Sequence, residues 1–281
     1  MPLSLIDNVM KWRSKLFRAI EINPTELCNF TCSFCPRAHG YPNVNQHMSI
    51  ETIDLMISQL DEMPNLKRIY VAGRGEPTLH KHFEYLSNKL AEVAKGRIRL
   101  HLATNGKWMD KYEECIRRYS EVKLSIYDET TYTIEDAAKK YNSWGNVKYA
   151  DRRTAGIESG DLPNTYHNRA GSVISEVTKV DNIAHPEYGL MCEKPFDIVY
   201  IDWNGDYNLC CNDWLDIQVL GNMYTESLGK YITENERLKE YQKDLWTRQR
   251  SLNPCASCNR SLLDKWVRWT DKKILDEPWS D

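Results

Sequence analysis

Between residue 19 and about residue 150 the chain alternates short β-rich runs with longer runs of helical period. AIEIN (19–23), LKRIYVAG (66–73), GRIRLHLATNG (96–106), EVKLSIY (121–127) and NVKYAD (146–151) read as strands. Residues 49–63 put Ile53, Met56, Ile57 and Leu60 on one helical face, behind a Ser49 N-cap and an acidic first turn. Residues 80–95, 109–120 and 135–144 are predicted as further helices. Such alternation argues for parallel strands joined by right-handed crossovers, in a barrel or a doubly wound sheet. A cysteine cluster, GRGEP and TNG each follow a predicted strand. They therefore fall at the carboxyl ends of the strands, where folds of this kind build their sites.

The pattern changes further along. Residues 152–186 are less regular, and FDIVYIDWNGDYNLCC (196–211) alternates about a central Asn204-Gly205, the mark of a β-hairpin. Helical periodicity returns over about 226–248, followed by NPCASC (253–258) and a Trp-rich helical run at 261–276. The organisation expected is an N-terminal helical extension (1–18), an α/β domain (19–185), a smaller cysteine-bearing domain (186–260) and a C-terminal helix (261–281).

Composition narrows the function classes. The chain has 281 residues, of which 41% are hydrophobic and 27% charged, so it can bury a substantial core and is not expected to be disordered. A net charge of −3 without a polybasic run gives no sign of nucleic acid or anionic membrane as a partner. No signal peptide or transmembrane run is apparent, and a cytoplasmic setting is expected. Nine cysteines there point to metal or redox chemistry and away from disulfides. Eight fall in the groups 28/32/35, 192/210/211 and 255/258; Cys115 lies in a helical run and is read as a buried structural thiol.

Cys28, Cys32 and Cys35 are spaced C-x3-C-x2-C, one ligand short of the four that a tetrahedral thiolate site needs. His39 and His47 are nearby but carry no supporting spacing. A cubane iron–sulfur cluster held by the three thiolates keeps one iron open, and an open position is where chemistry happens.

This loop resembles the signature of the radical S-adenosylmethionine (SAM) enzymes. The resemblance implies that Cys28, Cys32 and Cys35 bind a [4Fe-4S] cluster, with SAM on the fourth iron, and that Phe34 lies near the adenine. GRGEP (73–77) resembles the family's GGEP, with Gly75 and Glu76 matching the positions that hold the SAM amino group and Arg74 standing where the family has glycine. A carboxylate suits that task because it accepts charge-assisted hydrogen bonds from an ammonium. By the same resemblance Thr104, Asn105 and Ser125 approach the SAM ribose and carboxylate, and Arg169, in HNRAG, binds the carboxylate. Asn105-Gly106 also reads as a generic turn, Ser125 as strand filler and Arg169 as a surface arginine.

Cys192, Cys210, Cys255 and Cys258 resemble the Twitch domain, a shortened SPASM extension that keeps one auxiliary iron–sulfur cluster on four cysteines. Cys211 competes with Cys210, but adjacent strand positions face opposite ways, and the G-x4-C register from Gly205 selects Cys210. Tetrahedral zinc is the structural alternative at this set. The fold implied is a partial (β/α)6 TIM-like barrel followed by a small α+β Twitch domain with a hairpin. The activity implied is reductive cleavage of SAM to a 5′-deoxyadenosyl radical that abstracts hydrogen from the substrate. The auxiliary cluster, implied by the resemblance to be [4Fe-4S], would take the second electron, giving net dehydrogenation of a small alcohol or sugar-like metabolite.

A small molecule is favoured over a peptide, because only about 18 residues precede the first strand where peptide-modifying relatives often carry a recognition domain. A peptide or protein maturase is the enzymatic rival, and a zinc-stabilised binding module the non-catalytic one. A reductant such as flavodoxin or ferredoxin is implied as a partner. No spacing singles out a proton acceptor among His101, Arg152, Arg153, Tyr166 and His167.

Overall fold

The structure, a computed structural model, describes residues 17–32, 34–127, 133–151, 169–173, 192–247 and 249–258. Eight strands among them form one sheet: β1 (Ala19–Ile22), β2 (Arg68–Val71), β3 (Arg99–Thr104), β4 (Glu121–Ile126), β5 (Val147–Asp151), β6 (Ile198–Ile201), β7 (Asp206–Asn208) and β8 (Val219–Asn222). Their order is β5-β4-β3-β2-β1-β6-β7-β8. All pairs from β5 through to β6 are parallel, and β6–β7 and β7–β8 are antiparallel. Six parallel strands in an order that does not close on itself make an incomplete (β/α)6 barrel. The antiparallel strands extend it.

Strand alternation sets the two faces. Ile20, Ile22, Ile69, Val71, Leu100, Leu102, Val122 and Leu124 are all buried. They share one core with Ile53 and Met56 of α1 (Ile50–Gln59) and with Phe83, Leu86 and Leu90 of α2 (Phe83–Ala94). The opposite face carries Glu21, Tyr70 and His101 in matched register, and the His101 ring tilts against that of Tyr70 at 4.8 Å. Ser49 caps α1 as its sequence predicts, accepting from the Thr52 N–H at 3.1 Å.

Three elements differ from expectation. The helix predicted over 109–120 shrinks to a 3-10 turn and a single α turn, α3 (Glu113–Ile116), because Ser120 N–H already donates to Leu100 O on the way into β4. Cys115 of α3 is buried in the core. Beyond α4 (Ile134–Tyr141) and α5 (Lys194–Asp197), the helical run at 226–248 is two helices, α6 (Leu228–Glu234) and α7 (Glu236–Trp246). Asn235 interrupts it in an extended conformation and caps α7 through Leu238 N–H at 2.9 Å. Third, β6 comes from the stretch expected to open the second domain, yet it pairs in parallel with β1. The hairpin expected about Asn204-Gly205 is present, with Tyr200 opposite Asn208 and Gly205 at φ +85. Apart from Phe17 and Arg18, the terminal helices expected over 1–18 and 261–281 lie outside the described residues.

His80 ties the segment after β2 to the end of the cysteine loop. It is fully buried, with Nε2 2.9 Å from Met48 O and Nδ1 accepting from His82 N–H at 3.1 Å. Burial is the main cause that lowers its pKa, to about 4, so the folded protein keeps the ring neutral. The unfolded chain takes up that proton below about pH 6.5. Stability is therefore constant above that pH and falls as pH drops from about 6.5 to about 4, by roughly 3 kcal/mol in all. Urea titrations across this range test it: the pH slope should flatten in His80→Asn, and equal slopes would reject His80 as the group.

Candidate functional site

The cysteine loop leaves β1 and is stapled by its own return leg. Glu26 N–H donates to Gln46 O, Met48 N–H to Pro24 O, and Thr25 Oγ1 to Gln46 O. Asn43 braces Cys28 from both sides, accepting its N–H at 2.9 Å and donating to its carbonyl at 2.8 Å. Cys28, Cys32 and Cys35 are all partly exposed, as an open coordination site requires. Burial pushes the Cys28 thiol up; the Phe30 N–H, 3.5 Å from the sulfur, and the charge of Arg37 oppose it.

GRGEP packs directly on this loop. A Cβ on Gly75 would stand 2.1 Å from Thr25 O, and one on Gly73, whose φ is +114, would stand 2.3 Å from Asn23 Oδ1. Glycine is thus required at 73 and 75, and position 74 is free to carry a side chain. Glu76 is buried and accepts four hydrogen bonds. Oε1 takes Thr78 N–H, Thr78 Oγ1 and Thr104 Oγ1 at 3.1, 2.6 and 2.6 Å, while Oε2 takes Asn105 N–H at 2.7 Å. The carboxylate therefore organises the ends of β2 and β3, and only Oε2 keeps acceptor capacity for an ammonium. Asn105 Nδ2 donates in turn to Asn29 Oδ1, between the first two cysteines of the loop. Ser125 is buried at the end of β4, and Phe34 lies against Tyr127 with ring centroids 5.6 Å apart. Glu76, Thr104, Asn105 and the cysteine loop thus form one connected group.

Arg74 is a site residue whose role no sequence pattern announces. Its guanidinium reaches Tyr41 OH (3.0 Å), Asp213 O (3.0 Å), Asp216, Asp202 (3.3 Å) and Glu26 (3.5 Å). Burial disfavours its charge, but the hydrogen bond to Asp216 and the charge of Asp202 outweigh that and hold it protonated. Arg37 completes the cluster, donating to Arg74 O at 3.1 Å and pairing with Glu26 at 3.4 Å. The loop after β2 is thereby locked to residues 213–216.

The second cysteine set converges. Burial raises the Cys210 thiol well above its usual range, and Cys211, Cys255, Cys258 and Cys192 each add to the rise. Cys192 and Cys255 likewise feel Cys258. Cys211 also meets Lys194, whose Nζ stands 3.6 Å from its sulfur. Cys210 with Cys192, Cys255 and Cys258 gives the thiol count of a closed four-thiolate site, and three in the loop that of an open one. Among the described residues no three His, Cys, Asp or Glu side chains are drawn together tightly enough for a single metal ion. A cubane takes one thiolate per iron and asks for wider spacing than that.

Residues 22–158 match the family model of the radical SAM superfamily, and residues 192–259 match that of the SPASM iron–sulfur cluster-binding domain. The chain belongs to the radical SAM superfamily. Its cofactors are accordingly a [4Fe-4S] cluster, SAM and auxiliary iron–sulfur. Among curated relatives, the S-adenosyl-L-methionine-dependent 2-deoxy-scyllo-inosamine dehydrogenase of Niallia circulans is 24% identical over 249 residues, covering 87% of this chain and 94% of that enzyme. The crystal structure of BtrN in complex with AdoMet and 2-DOIA superposes with a TM-score of 0.70 at 19% identity, over 86% of this chain and 92% of BtrN. Streptococcus suis SuiB bound to precursor peptide SuiA superposes with a TM-score of 0.60 at 15% identity, over 95% of this chain and 76% of SuiB. These superpositions speak for the fold, which is the radical SAM partial barrel.

Arg169 sits in a turn at φ +47 with Nη1 3.3 Å from Asn212 Oδ1, beside the second cysteine set. His101 lies 3.7 Å from Glu121. Arg152, Arg153, Tyr166 and His167 fall outside the described residues. Among those residues, no helix is long and apolar enough to cross a membrane.

Proposed function

We propose that this radical SAM enzyme dehydrogenates a secondary alcohol of a small polyhydroxylated or amino-substituted ring. Carrying most weight is the relationship to the SAM-dependent 2-deoxy-scyllo-inosamine dehydrogenase, which spans nearly the whole of both chains. When bound, the cluster and SAM supply reductive cleavage to methionine and a 5′-deoxyadenosyl radical that abstracts hydrogen. Cys28, Cys32 and Cys35 would hold the cluster. Gly75, Glu76, Thr104, Asn105, Ser125 and Phe34 would line the SAM site, and Arg169 would serve its carboxylate. Cys192, Cys210, Cys255 and Cys258 would hold one auxiliary cluster.

The protein's own contribution is positioning and a polar cleft. A small recess between β1, β2, β6 and the Cys210–Cys211 turn has Glu21, Arg74, Tyr200 and Asp202 among its lining. Carboxylates, a phenol and a guanidinium suit hydroxyl and amine groups better than an apolar ligand. A reductant of the flavodoxin or ferredoxin class and a cytoplasmic setting, where free thiols stay reduced, complete the proposal.

The test is anaerobic incubation of the reconstituted protein with SAM, reductant and a panel of cyclitols, amino-cyclitols and peptides. A cyclitol should raise 5′-deoxyadenosine and yield a product two hydrogens lighter, and deuterium at the reacting carbinol carbon should appear in 5′-deoxyadenosine. Turnover with peptides alone would overturn the small-molecule reading.

A further inference from the structure

Arg250 belongs to no motif, yet it is buried against the Cys255–Cys258 turn. Its Nη2 donates to Cys255 O at 3.2 Å and to Cys258 O at 3.1 Å, and the residue is held at φ +48, outside the usual range for a side-chain-bearing residue. Its charge acts on Cys192 and Cys255, favouring their thiolates against the burial that dominates both.

Other charged groups among the described residues lie at this end too, Arg169 with Nη1 3.3 Å from Asn212 Oδ1 among them. Asp244 of α7 accepts Ser251 N–H at 2.9 Å and Ser251 Oγ at 2.6 Å. Lys194 stands by Cys211 and Tyr200, and its charge, like that of Arg250, favours the Cys192 thiolate. Asp213 is engaged by the Ile217 and Gln218 N–H groups at 3.0 and 2.7 Å. Arg250 is thus the cation that bridges the Cys255 and Cys258 carbonyls at close quarters.

We infer that Arg250 sets the reduction potential of the auxiliary iron–sulfur cluster, making it a readier electron acceptor. Each electron added makes a four-thiolate cluster one unit more negative, with no thiolate lost and no bond broken. A buried guanidinium stabilises the reduced form more than the oxidised one, and burial and nearby charge are the means by which proteins shift such potentials. An acceptor raised in this way is better placed to take the electron that a dehydrogenated substrate must give up. The inference rests on the reading of Cys192, Cys210, Cys255 and Cys258 as a cluster site.

The experiment is a potentiometric titration, followed by EPR, of the full chain carrying Cys28→Ala, Cys32→Ala and Cys35→Ala, so that the second set holds the only iron. At the potential that half-reduces this parent, Arg250→Gln should lower the reduced-to-oxidised ratio at least tenfold, a downward shift of about 59 mV for a one-electron couple. Arg250→Lys, which keeps the charge, should change the ratio less than threefold. An intact cluster in Arg250→Gln that is still half-reduced at the parent potential overturns the inference. Should Arg250→Gln hold no iron, Arg250→Lys decides alone: an unchanged ratio supports the role of charge, and a tenfold change assigns it to hydrogen-bond geometry and rejects the inference. A parent with no iron at the second set defeats the cluster reading itself, which is a separate outcome.

Discussion

With Cys28, Cys32 and Cys35 all changed to alanine, the chain should fold, lose SAM cleavage and keep iron at its second cysteine set. The loop's shape does not depend on its sulfurs. Its staples are the backbone bonds between residues 24–26 and 46–48, the Asn43 bonds to Cys28 backbone, and the packing of Gly75 on Thr25 O. The one sulfur-dependent bond that stands out, from Phe30 N–H, is long at 3.5 Å. Iron should fall from about eight to about four atoms per chain, as expected when one of two cubane clusters is lost. Formation of 5′-deoxyadenosine should drop to the level without enzyme. Full SAM turnover in this variant would exclude the loop as the cluster site.

Arg74→Met should cost about 3–5 kcal/mol of stability, the scale seen when one partner of a buried ion pair is removed. Arg74, Glu26 and Asp202 are all nearly inaccessible, with side chains 7%, 4% and 6% exposed. Without the guanidinium, Asn23 still donates to Glu26 at 2.8 Å and to Asp202 at 2.6 Å, but of the two buried carboxylates only Glu26 keeps a described cationic partner, Arg37 at 3.4 Å. Asp216 adds less, since its side chain is 43% exposed. Lysine should recover only part of the loss, because one ammonium cannot serve the Asp213 carbonyl, Asp216 and Asp202 together. Urea unfolding of the iron-free proteins measures this. In the loaded protein, a chelator should strip iron from the second set faster in Arg74→Met than in the parent. A loss below about 1 kcal/mol would show that the carboxyl groups simply take up protons and the lock contributes little.

Five of the six parallel strands were legible as short β-rich runs between helical ones, with buried alternate positions clearest in β2 and β3, and the two cysteine sets because thiols at short spacing are rare. Arg74 was not. In sequence it looks like a defect in a glycine motif, and its partners at Asp213 and Asp216 lie 139 and 142 residues away. Only the crossover of the fold brings them to it. Arg250 is silent for a related reason: its partners are carbonyl oxygens, which every residue has. The shortened α3 reflects a crossover with little chain to spare, and the break at Asn235 reflects a side chain whose capping bond outcompetes one more helical turn. Cys210 and Cys211 both lie in the turn beyond β7, which ends at Asn208, so strand alternation does not decide between them.

β6 has a consequence for anyone recombining such enzymes. It is at once the last parallel neighbour of β1 and the first arm of the hairpin that leads to Cys210. The cluster-bearing part is therefore no detachable cassette. A chimera spliced after Ile201 would join one parent's barrel strand to another's hairpin and set Tyr200 and Ile201 against foreign partners at positions 207 and 208. A splice placed ahead of Cys192 carries strand, hairpin and thiols together, and its compatibility then turns on the ladder from Ala19 opposite Ile198 to Ile22 opposite Ile201 and on the Arg74 contacts with Asp202, Asp213 and Asp216.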